Sequence, residues 1–568
     1  MKRSFIVFVA IVSAACGRLH VQDGDAPSPA QMSLHAALGE KPRPPFVTAD
    51  AEGARLWKLT RNFYERRSDQ FAWIDEKHPT DHMDALIQAL RAAELEGLNP
   101  EMYSLSALEA RREEAAKGFL LKKGFDPQQA GRLDVFLTYL YMKYASDLAD
   151  GISDLAHADK AWRIQPEEFQ PLDHLERALS ESRVAESLQQ LLPTAPQYRQ
   201  LRDSLAQYRK AAADGGWPAV PRNARVKRGQ TSETALLLAR RLAASGDLTG
   251  RLPDAGAIEF DDRLVEAMKR FQRRHGLQDD GSVGPQVIAE MNVPIEERIE
   301  QIQLSLERWR WLPRNLGERH ILVNIAGYNL EVWDRGKIAL TMRVVVGRKD
   351  TPTPVFNDRM TYLVFSPYWN VPPSIAQGET LPALIQDAAF LERNHMEVLD
   401  AAGNQVDPAS IDLSDPTRYR FRQRPGTNNS LGLVKFMFPN EFNVYLHDTP
   451  ADSLFARATR SFSHGCVRVE DPVALAEYVL RDQPEWTKER IDEAMHAGEE
   501  KIVKLSNPLP VYLGYWTAWP TPDGIHFTRD AYGHDARQMA LLAQRTARSK
   551  AASNKGVAPD TPPAKKGK

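Results

Sequence analysis

The period of the apolar residues changes along the chain, and each change marks a different kind of structure. Across about residues 50–215 they recur every three or four positions. Leu86, Ala89, Leu90 and Ala93 form one such stripe, and Leu133, Phe136, Leu137, Leu140, Tyr141 and Tyr144 another. That is the period of helices burying one face, with Gly97 and Gly151 as plausible stops. A second helical stretch, about 226–292, places Leu264, Ala267, Met268 and Phe271 on one face. His275-Gly276-Leu277 ends that helix, a turn follows, and Pro285 opens a last helix through Ile288 and Met291. A connecting helix is expected over 295–311. Beyond it, 320–325, 329–333 and 340–346 are β-branched runs broken by Gly327, Gly336 and Gly347, which predict antiparallel strands of a sheet or barrel. Residues from about 372 to 430 lack clean alternation. Set between strands, they predict an insertion that covers a site as a lid does. Strand character returns over 442–446 and delivers His447 at a strand end.

The two ends differ from the body. Met1-Lys2-Arg3 followed by the apolar run 5–15 reads as a secretory leader, residues 1–15, too short to span a bilayer. Ser13-Ala14-Ala15-Cys16 resembles a bacterial lipobox, which implies lipidation of Cys16. Serine at its first position departs from the usual leucine, so ordinary cleavage near Ala15 is the alternative. Residues 16–48, with Pro27, Pro29, Pro42, Pro44 and Pro45, predict a flexible tether. The Lys/Ala/Pro-rich residues 546–568 predict a disordered tail. At 568 residues there is ample length for several domains, and a formal net charge of −2 gives no signal for a nucleic-acid partner.

The chemistry concentrates at one point. The chain has two cysteines, and once Cys16 is assigned to processing, Cys466 stands alone in the folded body, with no partner for a disulfide. It lies in Ser463-His464-Gly465-Cys466-Val467-Arg468. A thiol flanked by cationic residues is where a thiolate, the nucleophilic form, is expected. His447, in Tyr445-Leu446-His447-Asp448, supplies an imidazole upstream, and a Cys with a distant His is an arrangement of covalent acyl transfer. The alternative for these residues alone is a buried structural cysteine beside a surface histidine. Gly465 lets the backbone bend so that the N–H groups of Gly465 and Cys466 point at one oxygen, forming an oxyanion hole. No HExxH, CxxC or paired His/Cys spacing calls for zinc, and no cofactor or metal is expected.

His447, Ser463-His464-Gly465-Cys466 and Arg468 together resemble the signature of the L,D-transpeptidase (YkuD) catalytic domain. The likeness extends to Tyr368-Trp369-Asn370-Val371-Pro372-Pro373-Ser374-Ile375, Asn428-Asn429-Ser430-Leu431-Gly432 and Lys435-Phe436-Met437-Phe438-Pro439-Asn440, as in the large Gram-negative periplasmic branch of that family. Phe271 to Leu277 with Asp280-Gly281-Ser282-Val283-Gly284 is similar to the three-helix peptidoglycan-binding domain; a plain spacer is the other reading. The resemblance implies a multidomain α+β chain. Its parts are a helical scaffold at 49–220, a peptidoglycan-binding-like module at 226–292, a mainly-β catalytic domain at 318–505 with its lid at 372–430, and a C-terminal extension at 506–545. It implies a cysteine acyl-enzyme on Cys466 that cross-links peptidoglycan stem peptides, with His447 as base, oriented by a backbone carbonyl near Asp448. His464 would support the thiolate, and Arg468 would bind a substrate carboxylate or serve as a structural ion-pair partner. Trp369, Asn370, Tyr445 and Ser463 would line the groove. It further implies a periplasmic protein, anchored in the outer membrane if Cys16 is lipidated, with other cell-wall enzymes as candidate partners. The alternatives on this scaffold are an L,D-carboxypeptidase, a cross-link-cleaving hydrolase, or a non-catalytic wall-binding anchor.

Overall fold

The computed structural model describes residues 26–75, 78–120, 125–152, 161–164, 166–412 and 416–557. The leader at 1–15 and Cys16 lie outside them. Among the described residues no helix is long and apolar enough to cross a membrane.

The N-terminal part is helical, as its period predicts. Its centre is α3 (Pro127–Asp150), buried along nearly its whole length. The tether expected over 16–48 is corrected from residue 29 onward. Pro29–Leu38 is a helix, α1, capped by Ser28 and packed on α3. The approach is so close that a Cβ on Gly131 would lie 2.2 Å from the Leu34 nitrogen, which only glycine permits. Phe46 and Val47 are buried as well. Prolines that suggest a loose linker here only punctuate a docked segment. Helix α2 (Ala51–Arg66) follows, its Asp50 cap accepting the Gly53 N–H at 2.8 Å.

Residues 226–292 build a small core of their own around Leu238, Leu264, Met268, Phe271, Ile288 and Met291. Its helix α4 (Asp262–Arg274) buries the predicted face. Arg274, buried against Asp247 at 2.8 Å, also donates to the Ile525 carbonyl at 3.0 Å, which ties this module to the C-terminal hairpin 518–527. Helix α5 (Ile295–Arg310) then leads into the sheet.

The sheet has nine strands: β1 (Arg319–Asn324), β2 (Asn329–Asp334), β3 (Lys337–Gly347), β4 (Phe356–Phe365), β5 (Val434–Met437), β6 (Leu446–His447), β7 (Ser461–Ser463), β8 (Val467–Val469) and β9 (Lys501–Gly514). Their order is β7-β3-β8-β6-β5-β4-β9-β1-β2, and a further β2–β3 pairing closes the ring. The predicted hairpins β1–β2 and β2–β3 are antiparallel. Elsewhere in the sheet β1–β9, β6–β8 and β3–β7 run parallel. Parallel partners need a crossover connection, so distant segments pair and local alternation does not reveal the partner. Strand β9 also crosses the expected domain edge at 505. A register shift between Lys504 and Leu509 accommodates the stretch that contains Pro508.

The insertion predicted over 372–430 carries three short strands, 405–406, 396–399 and 420–423 in that order, and the strand 369–370 just before it completes this antiparallel sheet. It has a separate apolar cluster including Val371, Leu391, Val398 and Phe421.

The C-terminal tail is the largest correction. Residues 546–557, expected to be disordered, continue helix α6 (His534–Val557). Alanine and lysine are strong helix formers, and this helix docks on the N-terminal lobe. Arg545 pairs with Asp147 at 2.8 Å and with Glu52, and Arg308 pairs with Asp535 at 2.7 Å. Ser553 donates to the Met102 carbonyl at 2.8 Å, and Ser104 to Asn554 at 3.0 Å. Deleting residues 546–568 should therefore destabilise the N-terminal lobe by about 1–2 kcal/mol, one buried and one part-buried hydrogen bond at up to roughly 1 kcal/mol each. Faster amide exchange along α3 in the truncated chain is the expected readout; unchanged exchange would show that α6 does not clamp the lobe.

Candidate active site

The site follows from the register of two short strands. Parallel pairing of β6 with β8 sets Leu446 beside Val467 and His447 beside Arg468. Side chains alternate along a strand. Leu446 and Val467 are wholly buried in the core, so Tyr445 and His447 of one strand and Cys466 and Arg468 of the other project to the opposite face. The Val467 N–H donates to the Tyr445 carbonyl at 3.1 Å, which extends the match by one residue. All four side chains line a cavity of about 650 Å³. The strand predicted over 442–446 is shorter than expected. It begins only at Leu446, because Asn443 adopts a left-handed backbone, φ 54°, which ends regular pairing.

His447 is 4% exposed. Its Nδ1 lies 2.5 Å from the Asp448 carbonyl oxygen. A carbonyl only accepts, so Nδ1 carries the proton and Nε2 keeps its lone pair. The Asp448 carboxylate is engaged elsewhere, accepting the Leu433 and Thr449 N–H groups, each at 2.7 Å. The Tyr445 ring meets the imidazole edge-on, centroids 5.7 Å apart. Burial, and then the Arg468 charge, lower the His447 pKa to about 3, against the opposing pull of the Asp448 and Leu431 backbone.

Cys466 opens to the cavity but is walled by protein on most sides, with Sγ 3.8 Å from the Asn443 carbonyl. Burial pushes its pKa up; Tyr445 and Arg468 pull it down less strongly. The expectation of a thiolate favoured by flanking cations is thus corrected. Desolvation penalises both ions, so the resting pair is a neutral thiol and a neutral imidazole. His464 lines the same cavity, with its Nε2 2.6 Å from Oε1 of Glu379 in the insertion.

The turn before Cys466 is braced from within. Gly465 has φ +119°, a conformation suited to glycine. Its carbonyl accepts from Thr353 Oγ1 at 2.7 Å. Ser463, buried, donates to the Cys466 carbonyl at 2.5 Å and accepts the Gly465 N–H at 3.2 Å. That last bond alters the predicted oxyanion hole: the Gly465 N–H is already used, leaving the Cys466 N–H as the remaining donor of the pair. Arg468 lies 3.5 Å from Thr449 Oγ1, its Nε is buried without a hydrogen-bond partner, and it forms no ion pair among the described residues. The structural ion-pair alternative for Arg468 is therefore not the arrangement found.

The insertion forms the facing wall through Trp369, Pro372, Ser374, Ile375, Gly378 and Glu379. Asn370 is not part of this wall. It follows Trp369 on one strand, and alternation turns it to solvent opposite Arg422. Residue pattern gave no signal for Glu379 or for the Asn443 carbonyl, since each arrives from a separate irregular segment.

Residues 318–491 match the profile of the L,D-transpeptidase catalytic domain. Residues 232–291 match one described as "Putative peptidoglycan binding domain", and 58–205 one described as "Scaffold domain". A curated Haemophilus influenzae protein described as "Putative L,D-transpeptidase" is 35% identical over 245 residues, 43% of this chain and 49% of its own length. The chain thus spans about half of the curated relative it matches. Among solved structures, an L,D-transpeptidase from Stackebrandtia nassauensis is 14% identical (52% of this chain, 96% of that one, TM-score 0.21). One from Xylanimonas cellulosilytica is 15% identical (52% and 98%, TM-score 0.18). Three successive segments of the chain thus match, in order, a scaffold domain, a peptidoglycan-binding domain and the L,D-transpeptidase catalytic domain.

The neutral resting pair has a measurable consequence. Alkylation of Cys466 by a small uncharged reagent should rise with pH and inflect above the ordinary thiol value of about 8.5. In Arg468→Gln the inflection should move higher still, because a charge favouring the thiolate is lost. An inflection near neutrality, or a downward shift in that variant, would contradict this electrostatic account.

Proposed function

We propose that this chain is an L,D-transpeptidase that cross-links peptidoglycan stem peptides through an acyl-enzyme on Cys466. The observation that carries the reading is the convergence of Cys466, His447 and Arg468 on one cavity from two paired strands. Arg468, cationic and without an ion-pair partner among the described residues, holds a carboxylate of the donor stem. With the donor bound, Cys466 Sγ attacks the scissile carbonyl while His447 Nε2 takes the thiol proton. The Cys466 N–H supports the developing oxyanion. His447 returns the proton to the departing amine of the terminal D-residue, leaving a thioester. An amine of a neighbouring stem then attacks, forms the cross-link and frees the thiol. With water in place of that amine, the same site is an L,D-carboxypeptidase.

The other domains fit an enzyme working on an insoluble wall, with 226–292 adding affinity for it. Export by the leader, anchoring at Cys16 in the outer membrane, and contact with other cell-wall enzymes complete the proposal.

Purified protein incubated with a tetrapeptide donor should give a mass increase on Cys466 and a cross-linked product. Cys466→Ala should abolish both. His447→Gln should slow acylation by about 10²–10⁴-fold, the range of general-base catalysis, and His464→Gln by less. A carbapenem should add one covalent mass that maps to Cys466. Near-normal turnover by Cys466→Ala, or an adduct on a serine, would overturn the mechanism.

A further inference from the structure

The cavity beside Cys466 is divided by charge. Two guanidinium residues line it, Arg348 and Arg468, while among its described lining residues Glu379 is the sole carboxylate. Glu379 sits in a π-helical turn of the insertion, residues 376–380, a backbone feature frequent at functional sites. One oxygen meets His464 Nε2 at 2.6 Å, yet the side chain is 53% exposed, so the carboxylate stays reachable from solvent. It faces the turn that carries the nucleophile, from the wall opposite that turn.

Resting on the reaction proposed above, we infer that Glu379, held by His464, binds the ammonium of the acceptor stem. The donor and acceptor carry opposite charges where they meet the enzyme. A carboxylate of the donor suits the arginines. The acceptor arrives as an ammonium, since an alkyl amine has a pKa near about 10.4, and the same arginines repel it. Glu379 supplies the opposing charge and brings the amine to the thioester. One proton leaves the ammonium for solvent. The nitrogen lone pair attacks the thioester carbonyl, the C–N bond forms, and the C–S bond breaks with its electron pair going to Sγ. The second nitrogen proton passes through His447 to Sγ and restores the thiol. Water needs no such charge, so Glu379 acts on the choice between cross-linking and hydrolysis.

The test measures how one acyl-enzyme partitions, which is independent of how fast it forms. The full chain is given a tetrapeptide donor and a stem peptide with a free side-chain amine, or the same peptide with that amine acetylated. Glu379→Gln should lower the ratio of cross-linked to hydrolysed product about tenfold, the effect of losing one charge-assisted contact. The loss should appear in the KM for the acceptor, and Glu379→Asp should recover part of it. An unchanged ratio in Glu379→Gln, with acyl-Cys466 still observed, would overturn this inference and leave the transpeptidase reading standing. Failure of the unaltered chain to form acyl-Cys466 would sink both.

Discussion

The parallel pairing of Leu446–His447 with Val467–Val469 is the contact on which the site depends. Two strands of two and three residues cannot hold together alone. They are held because Leu446 and Val467 sit fully buried in a core to which six of the other seven strands contribute. Burial of these two side chains forces their neighbours outward, and alternation then puts an imidazole, a thiol, a phenol and a guanidinium on the same face. A one-residue slip in this register would exchange the core and cavity residues. The brace around Ser463, Gly465 and Thr353 fixes the turn that enters the second strand, so the sulfur is set by backbone geometry rather than by its own contacts.

That same burial sets the electrostatics. Cys466 and His447 are each disfavoured as ions, and the positive Arg468 acts in opposite directions on the two: it helps a thiolate and hinders an imidazolium. An ion pair in the resting enzyme would have to overcome both desolvation terms. The site instead keeps its proton on sulfur until an electrophile is present. The lone pair on Nε2 is then available over a wide pH range, because the imidazole does not charge until strongly acid conditions.

Much of this was legible in the chain. Tyr445-Leu446-His447 and Cys466-Val467-Arg468 each show the polar–apolar–polar alternation of a half-buried strand, and the glycine between His464 and Cys466 marks a turn. What the alternation lacks is the partner: neither segment says that the two lie side by side and parallel. The ionisation state was likewise hidden, since flanking cations are visible in sequence and desolvation is not. Glu379 lies in an aperiodic stretch and gains meaning only when the insertion folds over the cavity. The C-terminal tail is hidden in the sequence for a different reason. Its composition suits both a solvated tail and a helix, and the deciding contacts with Asp147, Met102 and Phe136 come from residues far earlier in the chain.

The insertion has its own apolar cluster, Val371 through Phe421, rather than sharing the sheet's. A wall anchored in the main core would move only with that core. A separately packed unit joined by short strands is able to shift relative to the catalytic turn while both stay folded. The side-chain contact between the two across the cavity, His464 with Glu379, is polar and partly exposed, and exposed pairs of this kind contribute at most about 1 kcal/mol. It is therefore strong enough to orient two side chains and too weak to lock the cavity shut. In the proposed reaction two stem peptides have to enter and a longer one has to leave. A wall that meets the catalytic turn across the cavity through a weak polar contact fits that requirement, whereas a hydrophobic seam across the cavity would seal the site.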